Sequence, residues 1–232
     1  MRLDENMLRL ALERNDSAGL NIAHRSAGRT LWLAGKFAPS RSHLEAWLAA
    51  DQIGSLFDRC SVRGCLGIVL FCLGVPDQAL AHSNAVFAAA RRLDDPASFA
   101  QTLSIGIRLL LLVGDNAAAD HWARQLVGVA TEQSFPHWRG EGTAFLGWTM
   151  VKRGNVAAGL SLLRSGTTAF HATGVEAQMP HNIALLVEAC EIAGETEEAR
   201  ILLDDALQKV ETTGVQWFAA ELNRQKGELL QP

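Results

Sequence analysis

The residues from Gly147 to Gly159, GWTMVKRGNVAAG, decide the fold of this chain. A small residue stands at Gly147, a glycine seven positions later at Gly154, and a second small residue five further on at Gly159. A glycine closing a helix takes the left-handed conformation without the Cβ penalty that other residues incur, and a polar residue such as Asn155 can then start the next helix. A small side chain about one turn into that second helix lets two antiparallel helices lie close. The stretch reads helix, tight turn, helix.

The same spelling recurs along the chain. Gly35, Gly74, Gly114, Gly154 and Gly194 follow one another at 39, 40, 40 and 40 residues, a metre that marks a repeat architecture. Five positions after each stands a small residue: Ser40, Ala79, Ala119, Gly159 and Ala199. Seven positions before, three repeats carry Gly28, Gly67 and Gly147, while Ile107 and Val187 make that position looser. Between the markers, apolar residues such as Leu160, Leu163 and Phe170, or Leu203, Leu207 and Val210, keep helical spacing. Pro96 and Pro136, also 40 apart, suit the first turn of the following helix, where a missing amide hydrogen breaks no helical bond. Asp95 before Pro96 and Asp115 after Gly114 read as N-caps. Gly106, inside an apolar helical stretch, reads as a site of close helix packing.

Composition agrees with a folded chain and narrows its partners. The 232 residues are 48% hydrophobic and 20% charged, with no Tyr, which excludes disordered and collagen-like classes. A net charge of −4 supplies no basic footprint for nucleic acid or anionic lipid, so neither nucleic acid nor membrane is expected as a partner. The uncharged runs Gly64 to Pro76 and Gln78 to Ala90 fall short of the roughly 20 residues that cross a bilayer. Asp4 and Glu5 stand where a secretory signal would be basic and then apolar. Cys60, Cys65, Cys72 and Cys190 form no C-x-x-C pair, so they are expected as reduced core residues in a cytoplasmic protein.

The small–glycine–small pattern at these offsets resembles the tetratricopeptide repeat (TPR), with a period near 40 residues in place of about 34. A second resemblance rests on PDQAL from Pro76, GEGTAFLGW from Gly140, FHATG from Phe170 and TTGVQWFAAELNRQKGELL from Thr212. These segments are similar to the C-terminal helical region of bacterial multidomain signalling ATPases and class III adenylate cyclases. Together the resemblances imply an all-α fold, a TPR-like right-handed superhelix or α-solenoid of about five helix-turn-helix repeats. A single domain over 1–232 is expected: a partial repeat at 1–16, repeats at about 17–55, 56–95, 96–135, 136–175 and 176–214, and a capping helix at 215–232 that interleaves Trp217, Phe218, Leu222 and Leu229 with charged residues. Leu3, Met7, Leu8 and Leu10 put the N-terminus inside a second-of-pair helix, leaving an apolar edge through which the chain is expected to self-associate or join a longer protein.

The TPR resemblance also implies which positions face a groove: those 13, 10, 6, 3 and 2 residues before each turn glycine. On the first three repeats these include Ile22, Arg25, Arg29 and Trp32, then Ser61 and Phe71, then Gln101 and Arg108. On the last two they include Trp148 and Lys152, then His181, Glu188 and Glu191. Arginine and tryptophan combine contact area with directional bonding and dominate binding hot spots. Equally, Arg25 and Arg29 can simply solvate their helix, and Trp32 and Trp148 can fill the space between helices. Arg108 interrupts an apolar stretch, so it should face the groove or pair with an acid.

No catalytic residues are expected, because neither a phosphate-binding glycine loop nor a nucleophile–base–orienter set is spelled out. No cofactor and no metal are expected; His43, His82 and His121 sit on successive second helices as surface histidines. Glu197, Glu198, Asp204 and Asp205 read as solvated. Two functional readings remain. The first is a non-catalytic scaffold that binds a protein or peptide, or another domain of a parent protein. The second is a small-ligand sensor acting on an attached ATPase or cyclase. An enclosed cavity of a few hundred cubic ångströms lined by Trp and Arg favours the ligand, and a long open channel favours the protein.

Overall fold

A computed structural model describes residues 2–50 and 54–230, with side chains from residue 5 onward, so Leu3 and Asp4 as side chains lie outside it, as do the two ends of the expected domain. The described residues form helices and no strand. They gather into two compact units, Met1–Gly114 and Asp115–Pro232.

The first unit holds α1 (Arg2–Glu13), α2 (Ser17–Leu33), α3 (Phe37–Ala49), α4 (Leu56–Cys72), α5 (Pro76–Ala90) and α6 (Pro96–Val113). The second holds α7 (Asn116–Glu132), α8 (Pro136–Lys152), α9 (Val156–His171), α10 (Met179–Ala193), α11 (Thr196–Thr213) and α12 (Ala219–Leu229). Within each unit a first-of-pair helix packs on its own partner and on the next first helix: α2 on α3 and α4, α4 on α5 and α6, α8 on α9 and α10, α10 on α11 and α12. That arrangement is a stack of helical hairpins.

Chemistry local to each end produces the hairpins. The five metred glycines all take positive φ, from +71° at Gly35 to +88° at Gly154. At Gly114 the left-handed cap returns its amide to the carbonyls of Leu110 and Leu111, satisfying acceptors that a helix end leaves open. Starts are fixed just as locally. Asp16, Asp95 and Asp115 accept amides of Gly19, Ser98 and Ala118, while Ser55 and Asp58 form a reciprocal capping box. Asn155 occupies the N-cap position of α9 without a side-chain bond. Pro76, Pro96 and Pro136 open α5, α6 and α8.

The small residues after each turn are buried, and Ser40 also donates its hydroxyl to the Gly28 carbonyl at 2.6 Å. A Cβ at Gly106 would stand 2.7 Å from the Phe87 ring, which explains a glycine there. One helix lies outside the uncharged runs weighed above: α6 is long and apolar enough by composition to cross a bilayer, with a mean hydropathy of 1.5 over 18 residues. Arg108 splits it into shorter uncharged runs, which hid its length in the sequence. It is a core helix, packed on α4 and α5 with Leu103, Ile107 and Leu109 fully buried.

Candidate functional site

In the first unit, residues from five helices line a half-open cavity of about 430 Å³. Three successive first helices furnish one side: Ile22, Arg25 and Arg29 from α2, Ser61 from α4 and Gln101 from α6. All five are groove positions implied by the repeat resemblance, and the fold brings them together. Met7, Leu44, Phe57 and Val62 add apolar wall. No tryptophan lines the cavity.

Charge in this cavity is unevenly committed. Arg25 pairs with Asp58, whose carboxylate also receives the Ser55 amide at 3.0 Å. Burial alone would raise the Asp58 pKa, but the bonds from Ser55 and the charge of Arg25 outweigh it and hold the carboxyl below its usual range. Arg29 is exposed and has no carboxylate partner among the described residues. Cys65 closes the inner wall; burial pushes its thiol up to about 11 despite the nearby Arg29 and Arg108, so it is an inert thiol at neutral pH.

Elsewhere the expected groove residues divide. Trp32, Arg108, Trp148 and His181 are buried, each at most 4% exposed, whereas Phe71 is half-buried. Lys152 lies 5.0 Å above the Trp148 ring and donates to Glu188 at 3.1 Å, so three positions from the last two repeats meet in the second unit. Burial, then the neighbouring carboxylates of Glu228 and Glu188, raise the pKa of Glu191. His181 stacks on Trp217 at 5.9 Å between centroids and meets Phe218 and Phe145 edge-on. The Trp217 indole donates to the Ala177 carbonyl at 3.1 Å, and Gln225 donates to Ala184 at 3.0 Å, tying the last helix to α10 and its approach.

Two features escaped the sequence. Asp58 and Phe57 were not singled out, because nothing local distinguishes a capping-box aspartate from one that also holds an arginine across 33 residues. Glu198, expected as solvated, is instead held with Glu195 by the Arg164 guanidinium, which donates to Glu198 at 2.9 Å. Cys190, Glu195 and Glu198 place possible ligand atoms within 4.8 Å of one another, yet Arg164 already supplies the counter-charge there. His82 is half-buried and His121 exposed on their second helices, while His43 faces His24 across the first hairpin.

Comparison of the sequence with protein-family models and with curated proteins finds no match to either. Solved structures do match the fold. A Signal Transduction ATPase with Numerous Domains (STAND) protein with a tetratricopeptide repeat sensor, from Pyrococcus horikoshii, aligns with 93% of this chain at 14% identity and a TM-score of 0.60. This chain spans 32% of that protein's length. Nearly identical kinesin light chain TPR-like repeats from Podosopora anserina align with 85% of this chain and 98% of theirs, at 18% identity and a TM-score of 0.56. Aspartyl phosphate phosphatase F from Bacillus subtilis aligns with 99% of this chain and 63% of its own, at 10% identity and a TM-score of 0.54. The fold is thus all-helical and TPR-like, of the α-solenoid class.

Proposed function

We propose that this chain is a non-catalytic, TPR-like interaction scaffold that serves as a regulatory segment of a bacterial, cytoplasmic signalling protein. The observation that carries the reading is the convergence of Ile22, Arg25, Arg29, Ser61 and Gln101 on one cavity of about 430 Å³. A guanidinium without a carboxylate partner beside Met7, Ile22 and Phe57 suits a partner segment that sets an acidic residue next to an apolar one. The STAND protein with its repeat sensor supports attachment to a signalling ATPase; no comparison supports attachment to an adenylate cyclase. Panning a random displayed-peptide library on the chain tests the reading. Acidic–apolar sequences should be enriched, and Arg29→Glu should weaken their binding at least about tenfold, a loss typical of a hot-spot residue. Equal enrichment by the variant would count against the cavity as the binding surface.

A second reading, a sensor for a small organic anion, is favoured by the cavity's volume, which falls in the range of small-molecule sites. A thermal-shift screen of aliphatic and aromatic carboxylates separates it from the first. Stabilisation of the wild type that Arg29→Glu abolishes selects the ligand, and a flat screen selects the peptide.

A further inference from the structure

The first hairpin holds a pair of side chains that neither functional reading uses. His24 on α2 and His43 on α3 face each other with their Nδ1 atoms 3.0 Å apart. Both are half-buried. Their helices are joined by the turn at Gly35 and clamped by the Ser40–Gly28 bond, so the two nitrogens are carried on rigid elements and do not depend on a loop. In the absence of a metal, one ring must supply a proton for the other to accept.

We infer that this imidazole pair is a two-ligand site for a divalent transition-metal ion, copper(II) before zinc(II). Imidazole nitrogen sits about 2.0–2.1 Å from such an ion, so two nitrogens 3.0 Å apart subtend roughly 94° at it. That angle is close to the right angle of a tetragonal site and well short of the tetrahedral value, and tetragonal nitrogen–oxygen coordination is the copper(II) and nickel(II) preference. Water fills the remaining positions, since no third His, Cys, Asp or Glu side chain joins the pair among the described residues. The ion cross-links α2 to α3 one residue from Arg25.

The repeat register supplies an internal contrast. His24 lies 11 residues before its turn glycine and His43 eight after; the same offsets around Gly74 give Arg63 and His82. Burial and then the charge of Arg63 lower the His82 pKa, so the guanidinium is near enough to act on the ring in the second hairpin. There a fixed positive charge replaces one of the two ligands. The offsets belong to the repeat, and the ligand chemistry belongs to the first hairpin.

Calorimetric titration of the metal-depleted full chain with copper(II) and, separately, zinc(II) tests the site. One equivalent of copper should bind, more tightly than zinc. The affinity should fall at least about tenfold in both His24→Ala and His43→Ala, and remain unchanged in His171→Ala, in line with loss of one of two ligands. Wild-type affinity in either of the first two variants overturns the site. Electron spin-echo measurements on the copper-loaded wild type give an answer that depends on no variant folding: two coupled imidazoles support the assignment, and one or none overturns it.

Discussion

The hairpins α8–α9 and α2–α3 share one turn and one metre but differ inside. In α8–α9, glycines interleave from both helices. A Cβ at Gly147 would stand 2.7 Å from the Gly159 carbonyl, one at Gly159 2.7 Å from the Gly147 carbonyl, and one at Gly140 2.7 Å from the Phe170 amide. Backbone lies on backbone. In α2–α3 a Cβ at Gly28 would meet the Leu44 side chain, its Cδ2 at 2.6 Å and its branch carbon at 2.7 Å, with the Leu44 backbone no nearer than 3.5 Å, and side chains such as His24 and His43 occupy the space between the helices. The turn decides which helices pair, and the glycines along their length decide how closely. The cavity of about 430 Å³ lies in the unit that holds α2–α3, while the second unit has one of about 340 Å³ between α11 and α12, away from the tight α8–α9 crossing.

The largest break in this comparison should come from Gly147→Val. No neighbouring rotamer can relieve a clash with the backbone at Leu163 and Gly159, so denaturant unfolding should show a loss of about 3 kcal/mol or more. Asp120→Asn should rank next. Asp120 is largely buried and accepts from Arg124, Arg153 and Thr149, so its loss should cost about 1–2 kcal/mol at pH 7. Burial acts to raise its pKa, but those bonds prevail and hold it below 3.8. The stabilisation is therefore fully present above pH 3.8 and is lost as pH falls through the lower folded value. Wild type and variant should converge only in that acid range, as followed by acid titration of unfolding.

Gly28→Ala should cost about 1 kcal/mol net, because moving the buried Leu44, whose branch carbon stands 2.7 Å from the added carbon, outweighs the roughly 1 kcal/mol helix gain of alanine over glycine. Gly128→Ala should be stabilising by about 1 kcal/mol or slightly less, since an added carbon meets nothing within 4 Å. Smallest in stability but different in kind, Arg63→His should give the second hairpin two imidazoles and add a second equivalent of bound copper in the same titration.

The pairing of helices was legible because a left-handed turn and a crowded crossing each admit few residues, and those residues are visible as letters. Gly154, Ala79 and Pro136 carry their structural reason in their own chemistry. Side-chain meetings across repeats were less legible. Trp32 and Trp148 stand at groove offsets, yet their rings are buried, because a position on a helix does not state how far the neighbouring helix covers it. Likewise Trp217 carried no sign that it would stack on His181, and His24 showed no sign of His43, since each pairing depends on a tilt set by the entire hairpin. The cavity was half legible: its polar side followed from the repeat offsets, and Phe57 and Asp58 did not.

The turn glycines at Gly74, Gly114, Gly154 and Gly194 have empty space where a side-chain carbon would go, so dihedral angle alone holds them in place. Asparagine tolerates that angle, and Asn15 and Ser134 already adopt φ of 50° and 56° at turns of this chain. A descendant could exchange these glycines for asparagine one at a time and lose the written rhythm while every bend survived. Cousins of this protein are therefore better sought through the crowded Gly147–Gly159 crossing, whose spelling has no substitute.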